Sequence, residues 1–290
     1  MEKSGISPGL LARMALDSEQ FRYTESLGQN FLLDDAVINH MLDVAGIGDQ
    51  DQVLEIGPGA GVMTAHIAER AARVVAVEID RSLSPVLERV LSGYANSHIV
   101  YADALRLDLG ALAAEHFQPL KYRVIANLPY YITSDLLLKF VSVSPKPDEI
   151  AVMVQKEAAA RIMSSPGEKS YCALAAHLQA YGMPEVLLEL PPRLFMPSPH
   201  VDSSFLSIKK HSTPPAAPLD ERLFQRLIDV SFAMRRKTLV NNLKSAFSTD
   251  KARAEAWLMK AELPLNTRGE TLSLAQLGLL SDAMTGDGVR

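Results

Sequence analysis

Cysteine is nearly missing from this chain. Its 290 residues hold one, Cys172, which excludes an internal disulfide and any cysteine-cluster metal site and suits a reducing compartment. Long apolar runs are also lacking. None approaches the ~18 residues that cross a bilayer, and the first residues do not show the cationic, apolar and small-residue order of a secretion signal. A cytoplasmic, non-membrane protein is expected. Positive charge is not in excess either, since the formal net charge is −5. The seven histidines (40, 66, 98, 116, 177, 200 and 211) form neither H-x-x-x-H nor H-E-x-x-H, so no metal is expected. G-x-S-x-G and the P-loop GK[ST] are both absent, which removes the α/β-hydrolase and Walker-type readings.

What is present begins with ordinary globular bulk, 48% hydrophobic and 22% charged, enough for a full core. The charge is unevenly spread. From residue 211 onward 11 Lys and Arg face 9 Asp and Glu, whereas the first 210 residues hold 18 against 25. A mildly basic C-terminal portion on an acidic body points weakly to a polyanion partner.

One stretch dominates, Val53-Leu54-Glu55-Ile56-Gly57-Pro58-Gly59-Ala60-Gly61. Apolar residues around one carboxylate read as a buried strand, the glycines as a tight turn, and Val62 to Arg70 as a helix. Such a turn lets backbone approach a ligand with helix N–H groups behind it. It lies where open α/β sheets bind ligands, at the carboxyl ends of strands. A dinucleotide-type G-x-G-x-x-G would need glycine or alanine at Val62. The G-x-G-x-G spacing is instead similar to that of S-adenosylmethionine-dependent methyltransferases.

Along the chain, Pro8 to Phe21 reads as an amphipathic helix or arm with Leu11, Met14, Ala15 and Phe21 on one face. Asp34 caps a helix over Asp35 to Ala45. Strands are expected at Arg73–Asp80, His98–Asp103, Tyr122–Asn127 and Glu149–Gln155, with helices over Leu83–Leu91 and Ser134–Val141. A helix over Cys172–Tyr181 precedes two strands, Val186–Leu190 and Val201–Lys209. The prolines of Pro191 to Pro199 argue against regular structure there. Two final strands without an intervening helix predict an antiparallel edge. The result is an α/β, mostly parallel, Rossmann-like doubly wound sheet. His211 to Pro218 reads as a linker, followed by helices from Asp220 and over 237–247, 250–261 and 273–284. The expected parts are an N-terminal arm or helix (1–22), a catalytic sheet domain (23–211) and a small all-helical domain (219–290).

Glu78, 21 positions after Gly57, ends the second strand, where a carboxylate can accept from both hydroxyls of a ribose; Asp80 is its competitor. Asp103 ends the third strand and can accept from an adenine amino group. Asn127-Leu128-Pro129-Tyr130 follows the fourth strand. Its amide oxygen can accept from a substrate –NH2, Pro129 fixes the turn without adding a donor, and Tyr130 offers a stacking face. Two acceptors on an exocyclic amine favour its pyramidal form, whose lone pair can attack a methyl cation equivalent without a strong base. Arg235-Arg236-Lys237 suits phosphate contact. Lys156, Arg161 and Lys169, with Tyr171, form a second cationic group.

These residues together resemble the small-subunit (16S) ribosomal RNA adenine N6,N6-dimethyltransferases. The likeness is carried by Leu27-Gly28-Gln29-Asn30-Phe31-Leu32, Glu55-Ile56-Gly57-Pro58-Gly59, Asn127-Leu128-Pro129-Tyr130, Met153-Val154-Gln155-Lys156-Glu157, Phe195-x-Pro-x-Pro-x-Val201-Asp202-Ser203 and Arg235-Arg236-Lys237-Thr238-Leu239. The resemblance implies methyl transfer from S-adenosylmethionine to two adjacent adenines of a 3′-terminal hairpin loop of small-subunit rRNA, a role in small-subunit biogenesis, and a monomer. It implies cofactor contacts from Asn30, Leu32, Gly57, Gly59, Glu78, Asp103 and Asn127. Asn127, Leu128 (through its carbonyl), Pro129 and Tyr130 would position a flipped adenine, and Arg235, Arg236, Lys237, Lys156 and Arg161 would hold RNA. Its rivals are a large-subunit adenine methyltransferase of the macrolide-resistance type, usually written Asn-Ile-Pro-Tyr, a non-catalytic assembly factor with the same fold, and an N6-adenine DNA methyltransferase.

Overall fold

The structure, a computed structural model, describes residues 5–289; residues 1–4 of the expected N-terminal arm lie outside the described residues. Helix α1 (Pro8–Ser18) starts on a Ser7 cap with Pro8 in its first turn. It buries Ala12, Ala15 and Leu16 in the sheet unit's core, while Met14 is 42% exposed. The buried face is thus rotated from the expected Leu11–Met14–Ala15 stripe, because alanines let the helix pack closely and Met14 does not.

A two-residue strand β1 (Phe31–Leu32) precedes α2 (Asp35–Val44), whose Asp34 cap accepts from the N–H groups of Ala36 and Val37. Next come β2 (Gln52–Ile56), α3 (Val62–Ala68), β3 (Arg73–Glu78), α4 (Ser84–Leu91) and β4 (Ser97–Tyr101). Helix α5 (Leu109–His116) was not anticipated; Gly110 and three alanines blur its apolar spacing. Then follow β5 (Arg123–Asn127), α6 (Thr133–Ser142), β6 (Glu149–Gln155), α7 (Lys156–Ile162), α8 (Ala173–Tyr181) and β7 (Gly182–Leu190). Within the proline-rich stretch Pro191–Pro199, expected to be irregular, β8 (Phe195–Met196) pairs antiparallel with β1, Leu32 opposite Phe195. Proline at 197 follows rather than interrupts this pairing, so it removes no ladder bond. Strand β9 (Ser203–Lys210) completes the sheet, and α9 (Glu221–Ala233), α10 (Leu239–Ala246), α11 (Lys251–Lys260) and α12 (Leu274–Gly286) follow.

The seven-stranded order is β4-β3-β2-β5-β6-β9-β7. Pairs among β2 to β6 are parallel and β9 runs antiparallel to β6, as the missing crossover helix predicts. Strand β2 is the middle of the five parallel strands and has all five residues buried, the burial on both faces that a helix-covered parallel sheet imposes.

The chain divides into two compact units, one of residues up to 159 with 185–210, the other of 160–184 with 211 onward. The expected sheet domain, 23–211, included 160–184. The difference has a packing cause: Tyr171, Ala175 and Ala176 are buried in one cluster with Leu223, Leu227, Leu239, Trp257 and Leu277 of the helical unit. In that unit Trp257 Nε1 donates to Asp287 Oδ2 at 2.9 Å.

Candidate active site

A cavity opens at the carboxyl ends of β2, β3, β4 and β5, within the sheet unit. That is the ligand edge of an open α/β sheet. The turn after β2 forms its floor. Gly57 N–H donates to the Val77 carbonyl at 2.9 Å, which ties the turn to the end of β3. Gly59 has φ +55°, and a Cβ there would lie 2.9 Å from the Phe31 ring. Glycine is required at that position by both strain and space.

Glu78 lines the cavity, is 5% exposed, and is held from two sides. Gly59 N–H donates to Oε2 at 3.1 Å and Asp80 N–H to Oε1 at 2.7 Å. Burial raises its pKa. Asp80 is turned to other work. It accepts from Gln29 Nε2 at 2.6 Å and from the Ser82 N–H and hydroxyl, and it does not line the cavity. Behind the turn, Glu55 is fully buried, and burial pushes its pKa to about 8, opposed by the Thr64 hydroxyl and aided by the nearby Glu78 carboxylate. Asp103 lines the cavity, accepts from Leu105 N–H at 2.9 Å, and pairs with Arg106 at 3.4 Å.

Asn127 closes the far side. Its Nδ2 donates to the Asn30 carbonyl at 2.9 Å, bringing together residues 97 positions apart. An amide oxygen against that carbonyl would be repelled, so the contact fixes the amide's orientation and reserves Oδ1 as an acceptor. Leu128, Pro129 and Tyr130 continue the wall. The Pro129 carbonyl is taken up by the Ile132 N–H and the Thr133 hydroxyl. The Tyr130 hydroxyl is hydrogen-bonded to Ser203 Oγ at 2.9 Å, which steadies the ring. Burial raises this phenol's pKa, so it is neutral at physiological pH.

The structure thus gathers Asn30, Gly57, Gly59, Glu78, Asp103 and Asn127–Tyr130 around one cavity. Leu32 is not among its lining residues. Its side chain is buried in the core and its backbone is engaged by β8, because alternation along β1 gives the cavity Phe31 instead. Sequence reasoning also passed over Gln29 and Tyr131 as individual lining residues; only their place inside or beside quoted motifs marked them.

The cationic residues divide. Arg235, Arg236 and Lys237 are exposed on the turn between α9 and α10, and Arg235 donates to the Lys169 carbonyl at 3.0 Å. Lys156 is paired with Glu189 at 2.5 Å in the sheet unit, while Arg161 is exposed in the helical unit. Tyr171, grouped with these cations by sequence, is fully buried in the helical core and offers no stacking face. Among the described residues no helix is long and apolar enough to cross a membrane.

The donor and acceptor set fits an adenosyl cofactor. A Cβ on Gly57 would have no atom nearer than 3.9 Å, so the turn leaves the cavity open at that point, and two carboxylates stand at the ends of adjacent strands. Residues 20–278 match the family model described as ribosomal RNA adenine dimethylase. The chain is 40% identical over 292 residues to the ribosomal RNA small subunit methyltransferase A of Geobacillus thermodenitrificans, covering 98% of each. A dimethyladenosine transferase from Plasmodium falciparum superposes with a TM-score of 0.70 at 23% identity, over 88% of this chain and 98% of that one. The 23S rRNA methyltransferase ErmE gives 0.66 at 24%, over 88% and 100%. The last two share the fold.

Proposed function

Because the chain belongs to the ribosomal RNA adenine dimethylase family, an enzyme family of methyltransferases, we propose that it transfers methyl groups from S-adenosylmethionine to N6 of adenine in small-subunit ribosomal RNA, giving N6,N6-dimethyladenosine. The finer reading is two adjacent adenines of a 3′-terminal hairpin loop, modified during small-subunit assembly in the cytoplasm by a single chain. The observation that carries it is the anchored amide of Asn127 beside the stacking ring of Tyr130.

When bound, S-adenosylmethionine supplies a methyl carbon on a positively charged sulfur. Glu78 would accept from its ribose hydroxyls and Asp103 from its adenine amine, and the Gly57–Gly59 turn would leave room for its amino-acid end. The target adenine leaves its stack, since a paired N6 cannot be reached, and Tyr130 replaces the lost stacking face. Asn127 Oδ1 and the Leu128 carbonyl accept the two N6 hydrogens. This disfavours delocalisation of the nitrogen lone pair into the ring and aims it at the methyl carbon. N6 would take up the methyl group that the cofactor supplies and then release a proton to water. A second cycle uses the one remaining N6–H.

The test is transfer of labelled methyl to small ribosomal subunits lacking these modifications, with large subunits and duplex DNA alongside. Dimethyladenosine from small subunits alone is expected. Product from large subunits would transfer the reading to the resistance-type activity, and cofactor binding without transfer to any substrate would make the protein a non-catalytic factor.

A further inference from the structure

The turn that carries the chemistry does not end at Tyr130. Residues Tyr130–Ile132 form one short 3-10 turn, and successive residues of such a turn point about 120° apart. Tyr130 is directed inward, where its hydroxyl meets Ser203. Tyr131 is 58% exposed, yet it lines the same cavity. Its hydroxyl makes no hydrogen bond among the described residues. The ring is nevertheless held. Gly28, at φ +60°, presents its bare Cα side to it, and a Cβ there would lie 3.3 Å from Tyr131 Cδ1 and 3.5 Å from Cε1. A side chain with two rotatable bonds, seated on a glycine and facing solvent at a cavity mouth, is already arranged for a flat partner and loses little freedom on meeting one. A chance surface tyrosine would share the exposure but not the seat on a positive-φ glycine at the rim.

We infer that Tyr131 is a positioning residue whose ring stacks the base of the nucleotide next to the target adenine. This rests on the reading of the cavity as an adenine-N6 methyltransferase site. Turning an adenine out of a single-stranded loop removes the stacking partner of its neighbour as well as its own. Tyr130 receives the target base, and Tyr131, one residue on and at the rim, supplies the stacking surface that the neighbour needs in its place. It reads no base edge, so it favours any stackable base over none and ties selection to loop geometry. It acts on RNA capture and orientation, and the bonds made and broken at N6 are untouched.

The experiment combines Tyr131→Ala and Tyr131→Phe with small subunits reconstituted from rRNA that carries an abasic nucleotide on either side of the target adenine. On normal subunits Tyr131→Ala is expected to raise KM for subunits about tenfold, the lower half of the range for removing one base–aromatic stack. S-adenosylmethionine affinity and melting temperature stay at wild-type values, and Tyr131→Phe behaves as wild type. For the wild type, one of the two abasic substrates costs a similar factor. In Tyr131→Ala that substrate costs nothing further, because the stack is already gone. The inference is overturned if Tyr131→Ala keeps the full abasic penalty, if Tyr131→Phe is as impaired as the alanine variant, or if the loss appears in cofactor affinity. Wild-type protein that methylates no small subunit would instead sink the reading on which the inference stands.

Discussion

The two ends of the same parallel strands treat many of their polar side chains differently. At the amino ends these side chains are tied together. Gln52 donates to the carbonyls of Pro119 and Lys121 and accepts from Gln118 N–H. Arg123 bridges Asp51 at 3.0 Å and Glu149 at 2.5 Å and also donates to the carbonyls of Gly46 and Ala45, while Glu149 accepts from Ser207. At the carboxyl ends Glu78 is held by two backbone N–H groups, but Asp103 retains acceptor capacity and Asn127 spends only its donor. Networked polar groups hold strands in register, whereas unsaturated ones are costly until something arrives to bind them. The difference marks which end was shaped for stability and which for a ligand.

The sharpest way to test that contrast is to cut each end separately. Asn127→Ala should lower methyl transfer to small subunits by about 10³-fold, a loss comparable to removing one aimed polar group from a transition state. Thermal unfolding should move by only a few degrees, since one neutral hydrogen bond contributes about 1 kcal/mol. A fall in stability matching the fall in activity would erase the distinction. Arg123→Ala should do the reverse. It strands Glu149 and Asp51, so urea unfolding should lose about 3–5 kcal/mol, while cofactor affinity per folded molecule is unchanged.

Glu55 sharpens the comparison because it is a stability cost located at the ligand end. Its folded pKa is raised, so between about pH 4.5 and about 8 the unfolded chain releases this proton while the folded protein keeps it. Stability therefore falls as pH rises through that window and levels off above it, by several kcal/mol in all. Glu55→Gln removes the titration. Its stability relative to wild type should grow across the same window, as denaturation at a series of pH values would reveal. A constant difference would show that Glu55 is ionised when folded.

The smallest effect belongs to neither end. Arg236→Ala with Lys237→Ala, both exposed, should leave stability and cofactor affinity alone. It should weaken binding to small subunits and flatten the salt dependence by about 0.7–0.9 for each phosphate no longer neutralised. An unchanged slope would remove the helical unit's basic turn from RNA docking.

Much of the sheet was legible because strands covered on both faces are written as β-branched runs, and Arg73–Glu78 and Glu149–Gln155 are of that kind. The ligand end was legible for the same reason in reverse: Glu78, Asp103 and Asn127 interrupt those runs where the strands stop. What stayed hidden depends on partners distant in sequence. Helix α8 looks like part of the sheet domain until Ala175 and Ala176 are seen against α9 and its neighbours. Leu32 and Phe31 cannot be told apart until β8 fixes which of them faces inward. Alternation favours Glu78 over Asp80 from sequence, but that Gln29 and Ser82 claim the Asp80 carboxylate was hidden.

The ribbon of β1 and β8 has a consequence for how the protein is made. The loop bearing Asn30 is pinned by residues that leave the ribosome more than 160 positions later, and Tyr130 waits for Ser203. At about 5–20 residues per second, the nascent chain spends about 7 to 27 seconds with the Gly-rich turn already synthesised and β8 still missing. The cavity at the carboxyl ends of the strands is therefore among the last features of the sheet unit to be assembled during translation.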